Sequence, residues 1–259
     1  MLPNTDFLTG RKGLVVGVAN DQSIAAGCAR AFRASGADLA LTYQSEKAKR
    51  FVEPVAQAVD AALFMPLDVA DPAQMDGVFD MVAAKWGKLD FLVHSIAFCP
   101  RDDLHGRVVD CSQDGFGLAM DISVHSLIRL TKRAEPLMTD GGTILTVSYH
   151  GAEKVVENYN IMGPVKAALE ATARYMATEL GPKGIRVNAI SPGPLQTRAA
   201  SGIDHFDELI EDAKARAPMH RLTTIEEVGA MAACLVSDFA RSVTGNTAYI
   251  DGGHHVVSS

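Results

Sequence analysis

The chain has 259 residues, 47% of them hydrophobic, enough to bury one substantial core and suited to a single domain. A formal net charge of −7 argues against a surface built for nucleic acid or an anionic membrane. Cys28, Cys99, Cys111 and Cys234 form neither a CxxC pair nor a Cys/His cluster, and residues 1–10 lack the basic start and apolar run of a signal peptide, so we expect a soluble cytoplasmic protein with no disulfide framework, bound metal or membrane insertion.

Residues 13–18 read as a fully buried strand, followed by a helix over 23–35 with Ile24, Cys28, Ala31 and Phe32 at helical spacing. A second strand over 39–43, a helix over 46–59 and a third strand over 62–65 come next. Asp71 as N-cap and Pro72 in the first turn open a helix over 72–86. The spacing then predicts a strand over 91–94, one long helix over 116–138, and a strand over 143–147. A long helical segment opened by Tyr159 ends at the stop signal of residues 181–184. A strand over 185–190, a helix over 225–236 and a strand over 247–250 complete the chain. Alternating helices and apolar strands predict a single-domain, Rossmann-type α/β fold, a doubly wound parallel sheet of about seven strands. The irregular stretch 191–218 is long enough to be expected to serve function.

Tyr159 and Lys166 are seven apart, and seven helical steps turn through about 700°, returning to nearly one face. A phenol and an ammonium can then face one cleft, where lysine favours tyrosinate or holds a polar ligand such as a ribose. Most isolated pairs at this spacing are solvated helix faces, so the context decides. The first strand-turn-helix carries Gly17, Ser23 and Gly27 in place of a full G-x-G-x-x-G, with Gly17 for close backbone approach and Ser23 to cap a helix whose N–H groups would hold a pyrophosphate. Asp68 and Val69 close the third strand, where they suit an adenine amine, although Asp68 equally suits a turn cap. Ser95 and Ala97 follow the fourth strand, where small residues let a ribose lie against the backbone. Gln44, after the second strand, offers neither the carboxylate that selects the free ribose of NAD nor the arginine that holds a 2′-phosphate. With no cation there, NADH is expected over NADPH, and Lys47, Lys49 and Arg50 read as solvated charges. His94 reads as a satisfied core histidine, His254-His255 as a tail pair, and Met75, Met81, Met162, Met176 and Met231 as core or pocket lining.

Several blocks in order carry a resemblance over nearly the whole chain. Residues 17–27, the Tyr159/Lys166 pair and Ser191-Pro192-Gly193 resemble the short-chain dehydrogenase/reductase superfamily. Leu41-Thr42-Tyr43-Gln44, His94-Ser95-Ile96, Ser148-Tyr149 with Gly151-Ala152-Glu153, Asn158-Tyr159-Asn160 with Met162-Gly163, and Ala199-Ala200-Ser201-Gly202-Ile203 narrow it to the bacterial enoyl-(acyl-carrier-protein) reductases. The resemblance implies NADH-dependent reduction of an enoyl thioester linked to acyl carrier protein, in a homotetramer. By position it implies Tyr159 on the thioester carbonyl, Lys166 on the nicotinamide ribose, and Tyr149 as a second tyrosine beside the substrate. Gly17, Ser23, Ile24, Gln44, Asp68, Val69, Ser95, Leu195 and Thr197 would line the cofactor. Ala97, Phe98, Met162, Ile203 and Phe206 would wall the acyl pocket, with residues 194–217 as a lid. Ala97, Pro192 and the acidic segment after Ile203 depart from the pattern of many relatives. The rival readings are a short-chain reductase acting on a carbonyl such as a 3-oxoacyl thioester, and a non-catalytic nucleotide-binding relative. The carbonyl reductases place a catalytic serine about a dozen residues before the tyrosine, whereas position 146 here is threonine. The retained Tyr159 and Lys166 argue against the non-catalytic reading.

Overall fold

The computed structural model describes residues 6–195 and 206–257, with the side chains of 206–209 outside that description. The strands are β1 (Lys12–Val16), β2 (Asp38–Tyr43), β3 (Leu63–Pro66), β4 (Phe91–His94), β5 (Gly142–Val147), β6 (Ile185–Pro192) and β7 (Thr247–Ile250). They form a seven-stranded sheet in the order β3-β2-β1-β4-β5-β6-β7, parallel throughout. The chain order reverses between β1 and β4, and a crevice at their C-terminal ends is where such a sheet takes its ligand.

Successive strand residues feed opposite faces, as a two-residue period demands. Leu14, Val16, Leu92 and Ile144 pack with α3 (Pro72–Trp86), α6 (Ser126–Ala134) and α7 (Met162–Leu180). Val15, Leu39, Leu41, Val93 and Leu145 pack with α1 (Ile24–Ala34), α2 (Glu46–Ala58) and α9 (Ile225–Val236). Both faces are thereby covered, the condition under which an all-parallel sheet is stable. α1 and α9 touch through glycine: a Cβ on Gly27 would stand 2.3 Å from the Ile225 carbonyl oxygen, and one on Gly229 would stand 2.4 Å from that of Gly27.

The predicted helix over 116–138 is instead a chain of segments. α5 (Gln113–Met120) passes into a π turn (Asp121–His125), α6 follows, and a 3-10 turn (Glu135–Leu137) ends it. A short helix, α4 (Arg101–Leu104), precedes them, and α8 (Phe206–Arg216) lies between β6 and α9. β1 stops at Val16 because Gly17 turns to φ +100°. Met75, Met162 and Met176 are buried as expected, but Met81 and Met231 are about 40% exposed, on the solvent sides of α3 and α9. No helix of the described residues is long and apolar enough to cross a membrane.

Candidate active site

Tyr159 does not open α7. It lies in the turn before it, between Asn158 (φ 61°) and Asn160 (φ 46°), two residues in the left-handed region that asparagine tolerates better than most. The Asn160 side-chain amide donates to the Leu104 carbonyl at 2.8 Å and pins the turn. Lys166 comes from α7 proper, so the seven-step helical argument is corrected: turn geometry as well as helix pitch sets the pair. Gly151 makes room, since a Cβ there would sit 2.6 Å from the Tyr159 ring. Tyr149 meets Tyr159 edge-on, ring centroids 4.9 Å apart, and its hydroxyl is buried without a hydrogen-bond partner.

Burial raises the Tyr159 phenol far above its ordinary range, with Tyr149 and Glu170 adding to the effect. Tyr149 is raised by burial and then by Asp251. The expectation that lysine favours tyrosinate is therefore overturned. Desolvation wins, and both phenols remain proton donors. Lys166, 5% exposed, donates from Nζ to the Val147 carbonyl at 2.6 Å, and burial pulls its pKa down to about 8 against the opposing pull of Glu170.

Of the residues expected to line the cofactor, Gly17, Gln44, Asp68, Val69 and Ser95 follow the C-terminal ends of β1 to β4, and Leu195 follows β6. Gly17 is required by close approach: a Cβ would stand 2.1 Å from the Ser95 carbonyl oxygen, besides occupying φ +100°. Ser23 caps α1, accepting from the Ala26 N–H at 3.3 Å while its hydroxyl donates to the Asn20 carbonyl at 2.7 Å, and Ile24 follows at the first helical position. Gln44 is exposed. Lys49 lies over the Tyr43 ring at 5.4 Å and Arg50 over Phe51 at 4.6 Å, while Lys47 is exposed. Asp68 does cap a turn, accepting from the Ala70 N–H at 2.9 Å, and the Val69 carbonyl is taken by Arg129 at 3.1 Å. A cavity of about 490 Å³ runs from Gln22 at the start of α1 to Leu195, and includes Thr223, whose buried hydroxyl has no partner. Ala97 and Phe98 are exposed, and Met162 is buried in the core with Tyr159. Thr197 and Ile203, with residues 196–205 of the expected lid, lie outside the described residues, as does the Phe206 side chain.

The family model for enoyl-(acyl carrier protein) reductase matches residues 17–255. The chain belongs to that family. The enoyl-(acyl-carrier-protein) reductase (NADH) 1 of Rhizobium meliloti (strain 1021) is 48% identical over 257 residues, spanning 99% of this chain and 94% of that protein. The crystal structure of the Anaplasma phagocytophilum enoyl-(acyl-carrier-protein) reductase in complex with NAD matches at a TM-score of 0.95 and 47% identity, covering 100% of this chain and 98% of that one. That of the Bacillus cereus reductase with NADP+ and indole naphthyridinone matches at 0.95 and 44%, covering 98% and 99%.

Within this reductase fold, three features escaped the sequence reading. The π turn aims Ser123 at Phe98, whose N–H it accepts at 3.0 Å and whose carbonyl it meets at 3.1 Å. Ser126 donates to the Ile122 carbonyl at 2.6 Å, so its oxygen accepts from His94 Nε2 at 2.8 Å, and His94 Nδ1 takes the Thr146 hydroxyl at 2.9 Å. Glu170, on α7, is buried beside Lys166. Ser123 and Ser126, three apart on one helix face, were the available signal for the first two; the π turn itself has none. Among the described residues no group of His, Cys, Asp and Glu is placed to hold a metal ion.

Proposed function

We propose that this protein is an NADH-dependent enoyl-(acyl-carrier-protein) reductase, acting on the 2,3 double bond of trans-2-enoyl thioesters in fatty acid synthesis. The observation that carries the reading is the pair of neutral phenols, Tyr149 edge-on to Tyr159, while Thr146 is fully buried and commits its hydroxyl to His94. A carbonyl reductase would need a hydroxyl at that position facing its substrate. The start of α1, capped by Ser23, offers free backbone N–H groups to a pyrophosphate.

Bound NADH would supply the hydride that reaches C3 of the enoyl group. Tyr159 donates its O–H to the thioester oxygen, where enolate charge develops, and as a buried donor it needs no reorganisation to do so. Tyr149 brings a second hydroxyl to the same region. Lys166 holds the ribose, and the strand ends at Gly17, Ser95 and Val69 with Ser23, Ile24, Gln44, Asp68, Leu195 and Thr197 line the cofactor. Gln44 itself carries no positive charge to meet a 2′-phosphate, which supports NADH over NADPH. Ala97, Phe98 and Met162 would flank the acyl chain, with Ile203 and Phe206 contributed by a lid over 194–217, a part resting on the sequence pattern alone. The exposed apolar residues Phe116, Leu118, Ile128 and Tyr175 of α5, α6 and α7 support self-association; a homotetramer of single-domain subunits in the cytoplasm is the form the family resemblance implies.

NADH oxidation with crotonyl and 3-oxoacyl thioesters tests the reading. The crotonyl substrate should be reduced, and Tyr159→Phe should lower kcat roughly 10²-fold with little change in NADH affinity. Turnover of the 3-oxoacyl substrate alone would overturn it.

A further inference from the structure

Glu170 is a carboxylate in a place where burial penalises charge. It is 3% exposed, on the same face of α7 as Lys166 and one turn further along. Ser148, 2% exposed, donates its hydroxyl to Glu170 Oε1 at 2.5 Å, while its own N–H reaches the Ile190 carbonyl at 2.7 Å. The residue before it, Val147, supplies the carbonyl that Lys166 grips, and the residue after it is Tyr149. Glu170 and Lys166, one turn apart on α7, thus both fasten to the strand end 147–148, Lys166 through the Val147 carbonyl and Glu170 through the Ser148 hydroxyl.

We propose that Glu170 is a positioning residue, holding Lys166 as an ammonium and fixing, through Ser148, the backbone that presents Val147 and Tyr149. The inference rests on the assignment of Lys166 to the cofactor made above. A glutamine would fill the same space without charge, so packing alone gives no reason for a buried acid.

Around the carboxylate stand Ser148 beyond β5, Glu153 beyond the following 3-10 turn, Thr247 and Tyr249 on β7, Tyr159 before α7, and Lys166 and Arg174 on it. Burial raises the Glu170 carboxyl, Ser148 opposes that, Glu153 adds to it, and Thr247 and Arg174 oppose it. For Lys166 the carboxylate is the counterweight to desolvation. Its removal leaves desolvation unopposed, and the ammonium is lost at a lower pH.

The test is fluorescence titration of NADH binding from pH 6 to 10, which needs no enoyl substrate, beside crotonyl turnover by the unaltered protein. In Glu170→Gln the alkaline midpoint of binding should move down by about one pH unit, weakening NADH roughly fivefold near pH 8 and roughly tenfold above pH 9 while leaving it close to wild type at pH 6. Ser148→Ala keeps the charge and loses the clamp, so its midpoint should move the same way by less. A midpoint unmoved in Glu170→Gln, or affinity reduced equally at every pH, would make Glu170 a packing residue and overturn the proposal. Should that variant not fold, an unmoved midpoint in Ser148→Ala has the same force. Normal NADH titrations without crotonyl turnover would instead sink the functional reading and leave this one standing.

Discussion

His94 shows what burial does to a single titratable side chain. It has no exposed surface, its ring is neutral between Thr146 and Ser126, and burial first, then the charge of Lys166, lowers its pKa to about 3. The unfolded chain binds a proton near pH 6.5 that the folded one refuses until about 3, so stability falls as pH drops through that window. By pH 5 the loss from this residue is about 2 kcal/mol, and urea unfolding at pH 7 and pH 5 should show that increment in the wild type and not in His94→Asn. The satisfied core histidine was legible because its neighbours in sequence are apolar. Glu170 was not, because nothing local separates a solvated glutamate from one aimed at a strand end. Gly151 was visible as part of a motif, but its reason, the Tyr159 ring lying against it, exists only in three dimensions.

At the scale of elements, strand and helix periods placed all seven strands within about two residues, the precision expected of element ends. What failed was the long helix over 116–138. The residues of the π turn are ordinary helix formers, and only tertiary contacts to Phe98 and His94 reward the extra residue in the turn. Tyr159 was misplaced for the opposite reason: asparagine on each side signalled a left-handed turn, and the heptad-like spacing to Lys166 concealed it. Gly27 was read as part of a phosphate loop, and the structure gives it a helix-packing duty against α9. Gly229→Ala would push a methyl into the Gly27 carbonyl, so it should cost about 1–3 kcal/mol by thermal unfolding and, by displacing the start of α1, weaken NADH binding as well. Retention of wild-type melting and affinity would show that the two helices separate freely.

For the molecule as a whole, fold class followed from alternation alone, whereas the homotetramer was expected only from the family resemblance. Tyr175 on α7 is 76% exposed. If the proposed tetramer uses that face, Tyr175→Asp should shift sedimentation toward smaller species, and an unchanged distribution would place the contact elsewhere. The central position of β1 bears on how the chain comes into being. Gly13 pairs with Leu39 on one side and with Phe91 on the other, and Leu14 and Val15 face the two separate cores. The first strand to leave the ribosome must therefore wait, apolar on both faces, for the fourth, and a chain halted before residue 94 carries an unpaired strand edge open to association with its neighbours on the polysome.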